Sequence, residues 1–316
     1  MDILGIDVSK AQLSLALLQG ESVARKTVSN NSSGFRQILT WLKNRKVGQL
    51  HACMEATGTY GELIAEHLHD AGFTVSVVNP IQIKAFGRSA MVRTKTDGVD
   101  ALLIAQFCRA QGPPAWEPLP EKARDFRALM RRREALVDMI TAESNRLEAA
   151  SAKEVRRSIR AVLKALKDEL FVLEKQIKDH VDSDPDLRAL VDRLDELPGV
   201  ATLTAMKMLA ETNSFTVCTT ARDVAYAGLN PSHYQSGTIV RRQRISKIGN
   251  GALRKALFYA ALAAKNHSRY FKPFVDRLQA AGKRPMVIVI AIMRKILVLA
   301  HTLVTKGTRF DPAMAA

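Results

Sequence analysis

The sequence predicts an α/β N-terminal domain, a long helical middle segment and a mostly α-helical C-terminal domain. Three observations carry this. Strand-like and helix-like runs alternate through residues 2–110. The segment "QGPPAWEPLP", residues 111–120, places four prolines in ten positions and marks a boundary. From 121 to 182, apolar residues recur at helical spacings. A chain of 316 residues with 47% apolar content is long enough for two or more domains.

Each N-terminal element has its own signal. "DILGIDV" and "LSLALLQ" are short apolar β-rich runs separated by the turn-like "SKAQ", and "ESVARKTVS" supplies a third strand. Connectors this short exclude crossover helices, so the three strands form a meander. "NSSGFRQILTWLKNR" places polar caps before an amphipathic run, which predicts a helix. "QLHACMEA" is the next strand, "TYGELIAEHLHDAG" a helix closed by Gly72, and "FTVSVVN" a strand before Pro80.

Beyond the prolines, Leu129, Leu136, Ile140 and Leu147, and then Val155, Ile159, Val162, Leu166, Leu173 and Ile177, keep a three-four rhythm. This predicts two long helices over 121–182, as an antiparallel pair or an oligomeric coiled coil. "DSDPDL" ends them, and the C-terminal domain runs over 186–316. It opens with "LPGVATLTAMKMLAE", which is similar to a helix-hairpin-helix whose turn offers backbone N–H groups to a phosphate; an ordinary helix start is the competing reading.

With 47 Lys and Arg against 31 Asp and Glu, the chain carries a formal charge of +16 and calls for a polyanionic partner, nucleic acid or an anionic membrane. The longest apolar run, "MVIVIAIMRKILVLAHTLV", is interrupted by Arg294 and Lys295, so the expectation is a buried helix and no membrane. After Asp223 only Asp276 and Asp311 are acidic against sixteen Lys and Arg, so the basic footprint belongs to the C-terminal third. "MDILGIDVSK" lacks the regions of a signal peptide. Three scattered cysteines, Cys53, Cys108 and Cys218, predict core thiols in a reducing cytoplasm.

Four acids stand out by position. Asp7 lies near the end of the first strand and Glu55 closes the fourth; as neighbours in a ribonuclease H-like sheet, both project at one edge. "TKTDGVDALLIAQF" sets Asp97 and Asp100 three apart on one face at the start of a helix. Singly, each is a cap or a turn residue. Together they repel one another unless cations bind, and oxygen donors of this kind suit Mg²⁺. Two such ions serve phosphoryl transfer.

The segment "NPSHYQSGTIVRRQRISKIGN" begins at Asn230 and leads into the helix "GALRKALFYAALAAK". Arg241, Arg242, Arg244, Lys247, Arg254 and Lys255 cluster there, which predicts phosphate contact, and "TIVRRQRISK" predicts a short β-ribbon. A serine among cations can act as a nucleophile, because the cations stabilise its alkoxide and the transition state. The residues alone leave both serines, Ser232 and Ser236, open, along with His233 as a base and Tyr234 as a stacking platform.

"GIDVSK", "MEATGTYG", "TKTDGVDALLIA", "LPGV" and "GLNPSHYQSG…RISKIGN", in that order, resemble the IS110 family of insertion-sequence transposases over nearly the whole chain. The resemblance implies a RuvC-like N-terminal domain over 1–110 whose DEDD acids are Asp7, Glu55, Asp97 and Asp100. It implies a catalytic serine at Ser236, which forms a covalent phosphoserine link with DNA beside a Mg²⁺ site. It further implies a homo-oligomer, dimer to tetramer, with a composite active site, and a structured noncoding bridge RNA that pairs with donor and target DNA.

Three rival readings remain. A RuvC-like Holliday-junction nuclease hydrolyses DNA and leaves no protein-linked product. An actin-like or sugar-kinase ATPase shares the first strand but needs Gly-rich phosphate loops that the sequence lacks. A basic architectural protein needs no acids.

Overall fold

The computed structural model describes all residues except 57, 92–95, 216–223, 233–234, 237–238, 241–243 and 316. The chain divides into two compact units, residues 1–118 and 119–316.

The first unit is built on five strands: β1 (Asp2–Val8), β2 (Gln12–Gln19), β3 (Ser22–Ser29), β4 (Leu50–Glu55) and β5 (Thr74–Val78). Their order is β3-β2-β1-β4-β5. The β1–β2–β3 meander is antiparallel, as the short connectors require, while β4 and β5 run parallel to β1. This is the mixed sheet of the ribonuclease H-like class that the sequence predicts.

Helices cover both faces. α1 (Ser32–Asn44) and α2 (Glu62–Asp70) bury Phe35, Ile38, Leu42, Ile64 and Leu68 against Leu4, Ile6, Leu13, Leu15 and Met54. On the opposite face, α3 (Pro80–Ser89) and α4 (Asp97–Gln111) pack Ile83, Leu103, Ile104 and Phe107 on Ile3, Leu18 and Cys53. Cys53 and Cys108 are buried and free. A hydrogen bond with Cys108, reinforced by burial, pushes the Cys53 thiol up and leaves it unreactive. Cys218 lies outside the described residues.

The proline-rich segment straps the β5 edge. Trp116 N donates to Val75 O at 2.7 Å, and Ser76 Oγ donates to Pro114 O at 2.7 Å. With its one proton so used, Ser76 Oγ accepts from Nε2 of buried His51 at 2.8 Å, which fixes that histidine's tautomer.

In the second unit, α5 (Glu121–Ala149) and α6 (Lys153–Asp182) form a helical pair. Phe126 stacks on His180, Arg133 meets Glu174, and Arg156 donates to Leu147 O, so the partners run in opposite directions. Of the two arrangements the sequence allowed, the antiparallel pair is present within one chain. Its residues Phe126, Met130, Leu136, Leu173 and Ile177 share one core with α7 (Pro185–Asp195), α8 (Thr202–Thr212), α9 (Gly251–His267), α10 (Lys272–Ala280) and α11 (Pro285–Lys306).

α11 is long and apolar enough to cross a membrane, yet Ile292, Ile296, Leu297, Ala300 and Leu303 are fully buried in that core, as expected for a core helix. The Pro198-Gly199 turn lies against α9: a Cβ on Gly199 would stand 2.4 Å from Ala260 O, and the residue has φ +88°. That glycine is therefore required by close packing, whatever its turn contacts.

Candidate functional site

The strand register brings the first two acids together. Ile6 pairs with Met54 across the parallel β1–β4 ladder, so Asp7 and Glu55, each one residue further, occupy the same row at the strand ends. Strand residues two apart share a face. Gly5 therefore reports the direction of Asp7: a Cβ on Gly5 would lie 2.1 Å from Ala101 O and 2.5 Å from Ala105 N, so that face is covered by α4. Cys53, two before Glu55, meets Cys108 of the same helix.

The helix runs against the strand, and the two lengths match. From Gly5 to Asp7 β1 advances about 6.6 Å. From Ala101 back to Asp97 α4 advances about 6 Å. The first turn of α4, with Asp97 and Asp100, thus stands at the edge where β1 and β4 end. Thr96 caps that helix by accepting from Val99 N, so Asp97 is not needed as the cap. Asp97 is exposed, and Asp7, Glu55 and Asp100 are half-buried.

Topology gathers the four acids at one edge, but among the described residues no group of three or more His, Cys, Asp or Glu is close enough to hold a metal ion. The donor chemistry fits a hard divalent cation, because all four are carboxylates at one sheet edge. Asp7 and Glu55 share a row already, and the α4 acids have to approach them for a full shell.

One residue at this edge has a role that the sequence does not signal. Asn30, just past β3, donates from Nδ2 to Ser9 O at 2.9 Å and to Tyr60 O at 3.0 Å. It ties the chain leaving Asp7 to the chain leaving Glu55, and it leaves Tyr60 exposed beside them. Only the three-dimensional proximity of the two strand exits shows this role. In the sequence the asparagines before α1 are cap signals, and Asn31 is indeed the cap, accepting from Gly34 N.

The serine segment belongs to the second unit. Pro231–Ser232 pairs antiparallel with Arg244–Ile245, and inside it Gln235–Ser236 pairs with Ile239–Val240. The ribbon is a nested hairpin, longer than the sequence signal, and Ser236 ends its inner strand opposite Ile239. The side chains of Ser232 and Ser236, and residues His233, Tyr234, Arg241 and Arg242, lie outside the described residues.

Arg244 and Lys247 are exposed, with Lys247 in the left-handed region at φ 56°. Arg254 donates to Ala227 O at 2.9 Å. The Lys255 ammonium is held by Glu134 at 2.5 Å and Asp138 at 3.2 Å, and hydrogen bonds to these carboxylates raise its pKa.

A buried acid anchors the end of this segment. Glu211, 4% exposed, accepts from Asn250 Nδ2 at 2.6 Å, with the Arg131 guanidinium 3.4 Å away. Asn250 in turn caps α9 by accepting from Leu253 N and donates to Tyr226 OH. Glu134 plays a parallel part. Burial raises its pKa, but hydrogen bonds and charge from Lys207 and Lys255 outweigh this and hold it below the usual carboxylate range.

Known proteins resemble the chain along most of its length. A family model described as DEDD_Tnp_IS110 transposase matches residues 4–150, and one described as the transposase IS116/IS110/IS902 family matches residues 191–276. A pilin gene-inverting protein of Moraxella bovis is 32% identical over 314 residues, covering 98% of this chain and 97% of that protein. A protein of insertion element IS110 from Streptomyces coelicolor is 29% identical over 160 residues, covering 50% of this chain and 38% of that one. Among solved structures, RuvC of T. thermophilus in complex with a Holliday junction substrate is 15% identical with a TM-score of 0.29, covering 36% of this chain and 98% of RuvC.

Proposed function

The chain belongs to the IS110 family of transposases, and from that premise we propose that it mobilises an insertion sequence by cutting and rejoining DNA strands through a phosphoserine intermediate. The observation that carries this is the row of Asp7 and Glu55 at the ends of adjacent strands, with the Asp97 and Asp100 turn of α4 brought to the same edge. The 32% identity to a gene-inverting protein over nearly the whole chain supports strand exchange over simple scission.

In this reading residues 1–110 hold the DEDD acids, 121–182 form the helical segment, and 186–316 carry the serine and the basic surface. Ser236 Oγ attacks the scissile phosphorus. The Oγ–P bond forms, the phosphorus–sugar oxygen bond breaks, and the released sugar oxygen takes a proton equal to the one lost by the serine. Attack by a second strand's hydroxyl reverses the balance and frees the serine. One bond of the same class replaces another at each step, so no energy source is needed.

Asp7, Glu55, Asp97 and Asp100 hold divalent cations, Mg²⁺ in this proposal, which supply charge neutralisation at phosphorus when bound. Arg241, Arg242, Arg244 and Lys247 grip the phosphates on either side of the serine. Arg254 and Lys255 form the inner border of that surface. A homo-oligomer of two to four copies brings the acids of one copy to the serine of another. A noncoding bridge RNA selects donor and target by base pairing while the protein reads backbone, and the charge of +16 suits a chain that handles both polymers.

The test is capture of protein-linked DNA after denaturation. Ser236→Ala is expected to abolish the adduct and keep DNA binding, and Asp100→Ala to stop strand cleavage. A full-strength adduct from Ser236→Ala removes that serine from the mechanism, and scission without any adduct in the wild type identifies hydrolysis instead.

A further inference from the structure

We propose that the β3–α1 face of the first unit is a second DNA-contacting surface, which takes the phosphate backbone of duplex DNA leaving the acid edge. It rests on the reading that Asp7 and its partners cut DNA, and it concerns a surface far in sequence from the basic ribbon.

Residues 22–54 contain six cations, Arg25, Lys26, Arg36, Lys43, Arg45 and Lys46, and no Asp or Glu. None of the six has an ion-pair partner among the described residues; the ion pairs described in this unit join His69 to Asp70 and Glu117. Five of the six are exposed and Lys26 is half-exposed. A solvated surface usually intersperses both signs, and protecting the open β3 edge calls for charge on β3 itself, where only Arg25 and Lys26 stand. Six unpaired cations on one strand and the helix after it exceed either need.

Two of the cations are also held in place. Lys26 Nζ lies 6.0 Å, and Arg45 Cζ 5.3 Å, from the centroid of the partly buried Trp41 ring. Lys26 extends from β3 and Arg45 caps α1, so the indole fixes two charges from two elements. Cations ordered beforehand lose less freedom on meeting phosphate.

The register places Lys26 in the row next to the acid row and on the other face of the sheet. Lys26 pairs with Leu15 and Leu15 with Ile6, which precedes Asp7; Ile6 and Leu15 face α1, whereas Asp7 shares the α4 face with Gly5. Two strand spacings make roughly 10 Å, which is the rise of about three nucleotides along one DNA strand. Asn30 ties the exit of β3, just before α1 begins, to Ser9 and Tyr60 at the acid edge. A duplex has charge on both strands over that whole distance, which is why duplex DNA is the occupant proposed.

The experiment measures affinity of the full-length protein for a labelled duplex against salt, without divalent cation. Removing two phosphate contacts in Lys26→Gln/Arg45→Gln is expected to lower the slope of log K against log[salt] by about 1.8, so that affinity falls roughly tenfold less between 50 and 200 mM salt. The unfolding midpoint is measured alongside, and Lys164→Gln/Lys167→Gln on α6 removes the same charge elsewhere. A slope change below about 0.5 overturns the proposal, since each contact contributes about 0.9. So does an equal change in the α6 variant, and so does a loss seen on a structured RNA hairpin with duplex binding untouched. Because no cleavage is read, a wild type that never forms a Ser236 adduct sinks the recombinase reading, while a slope loss still supports this surface.

Discussion

Gly5→Ala is the sharpest probe of how the fold builds the acid edge. The new Cβ would stand 2.1 Å from Ala101 O and 2.5 Å from Ala105 N, and both are backbone atoms that no rotamer change can clear. To restore a tolerable contact α4 has to retreat by roughly 1 Å, an overpacking strain of about 1–3 kcal/mol. At a urea dependence of about 2 kcal/mol per M, the midpoint drops by roughly 1 M. The same retreat carries Asp97 and Asp100 away from Asp7 and Glu55, and a misplacement of about 1 Å costs on the order of a hundredfold in rate. Urea unfolding and strand cleavage of labelled DNA read the two effects. Gly98→Ala is the control, because nothing lies within 4 Å of a Cβ there; it is expected to leave the midpoint level or raise it. A Gly5→Ala protein with an unchanged midpoint and cleavage within twofold of wild type refutes the argument that α4 is docked through this glycine.

Two further perturbations test the polar interior. Glu211→Ala strands the Asn250 amide that caps α9, and is expected to lose about 1–3 kcal/mol in urea unfolding, with Glu211→Gln recovering at least half; a loss under about 0.5 kcal/mol speaks against the anchor. Burial lowers the pKa of His51, so the unfolded chain binds a proton at higher pH than the folded one. Stability is therefore level above about pH 6.5 and falls as pH drops below it. His51→Gln, which keeps a donor for Ser76, should show a smaller decline between pH 6.5 and 5, and an equal decline would clear His51 of any part in it.

What the sequence made legible is what local physics determines. β1 to β5 and the helices α1, α2 and α4 follow from periodicity and caps, and the acid row from the neighbouring of two strands. α3 was not legible, because Pro80 after "VVN" marks the end of a strand as well as the first turn of a helix; Asn79 caps it, accepting from Ile81 N. The break between α5 and α6 falls in "AASA", where alanine favours helix, and Arg156 stabilises it from the next helix by donating to Leu147 O and Ala150 O. Gly5, Asn30 and Glu211 act through residues tens of positions away, which no window along the chain can display. Arg254 and Lys255 read as free cations in the sequence, whereas Ala227 O, Glu134 and Asp138 engage them in the fold.

The strap of residues 113–116 has one more consequence. By bonding Trp116 to Val75 and Ser76 to Pro114, it occupies the rim of β5 that another strand could extend. The sheet is left with a single growing side, at β3, and there Arg25 and Lys26 set like charge against like if a second copy approaches. Sheet-to-sheet pairing is thereby opposed on one side by a covering and on the other by repulsion.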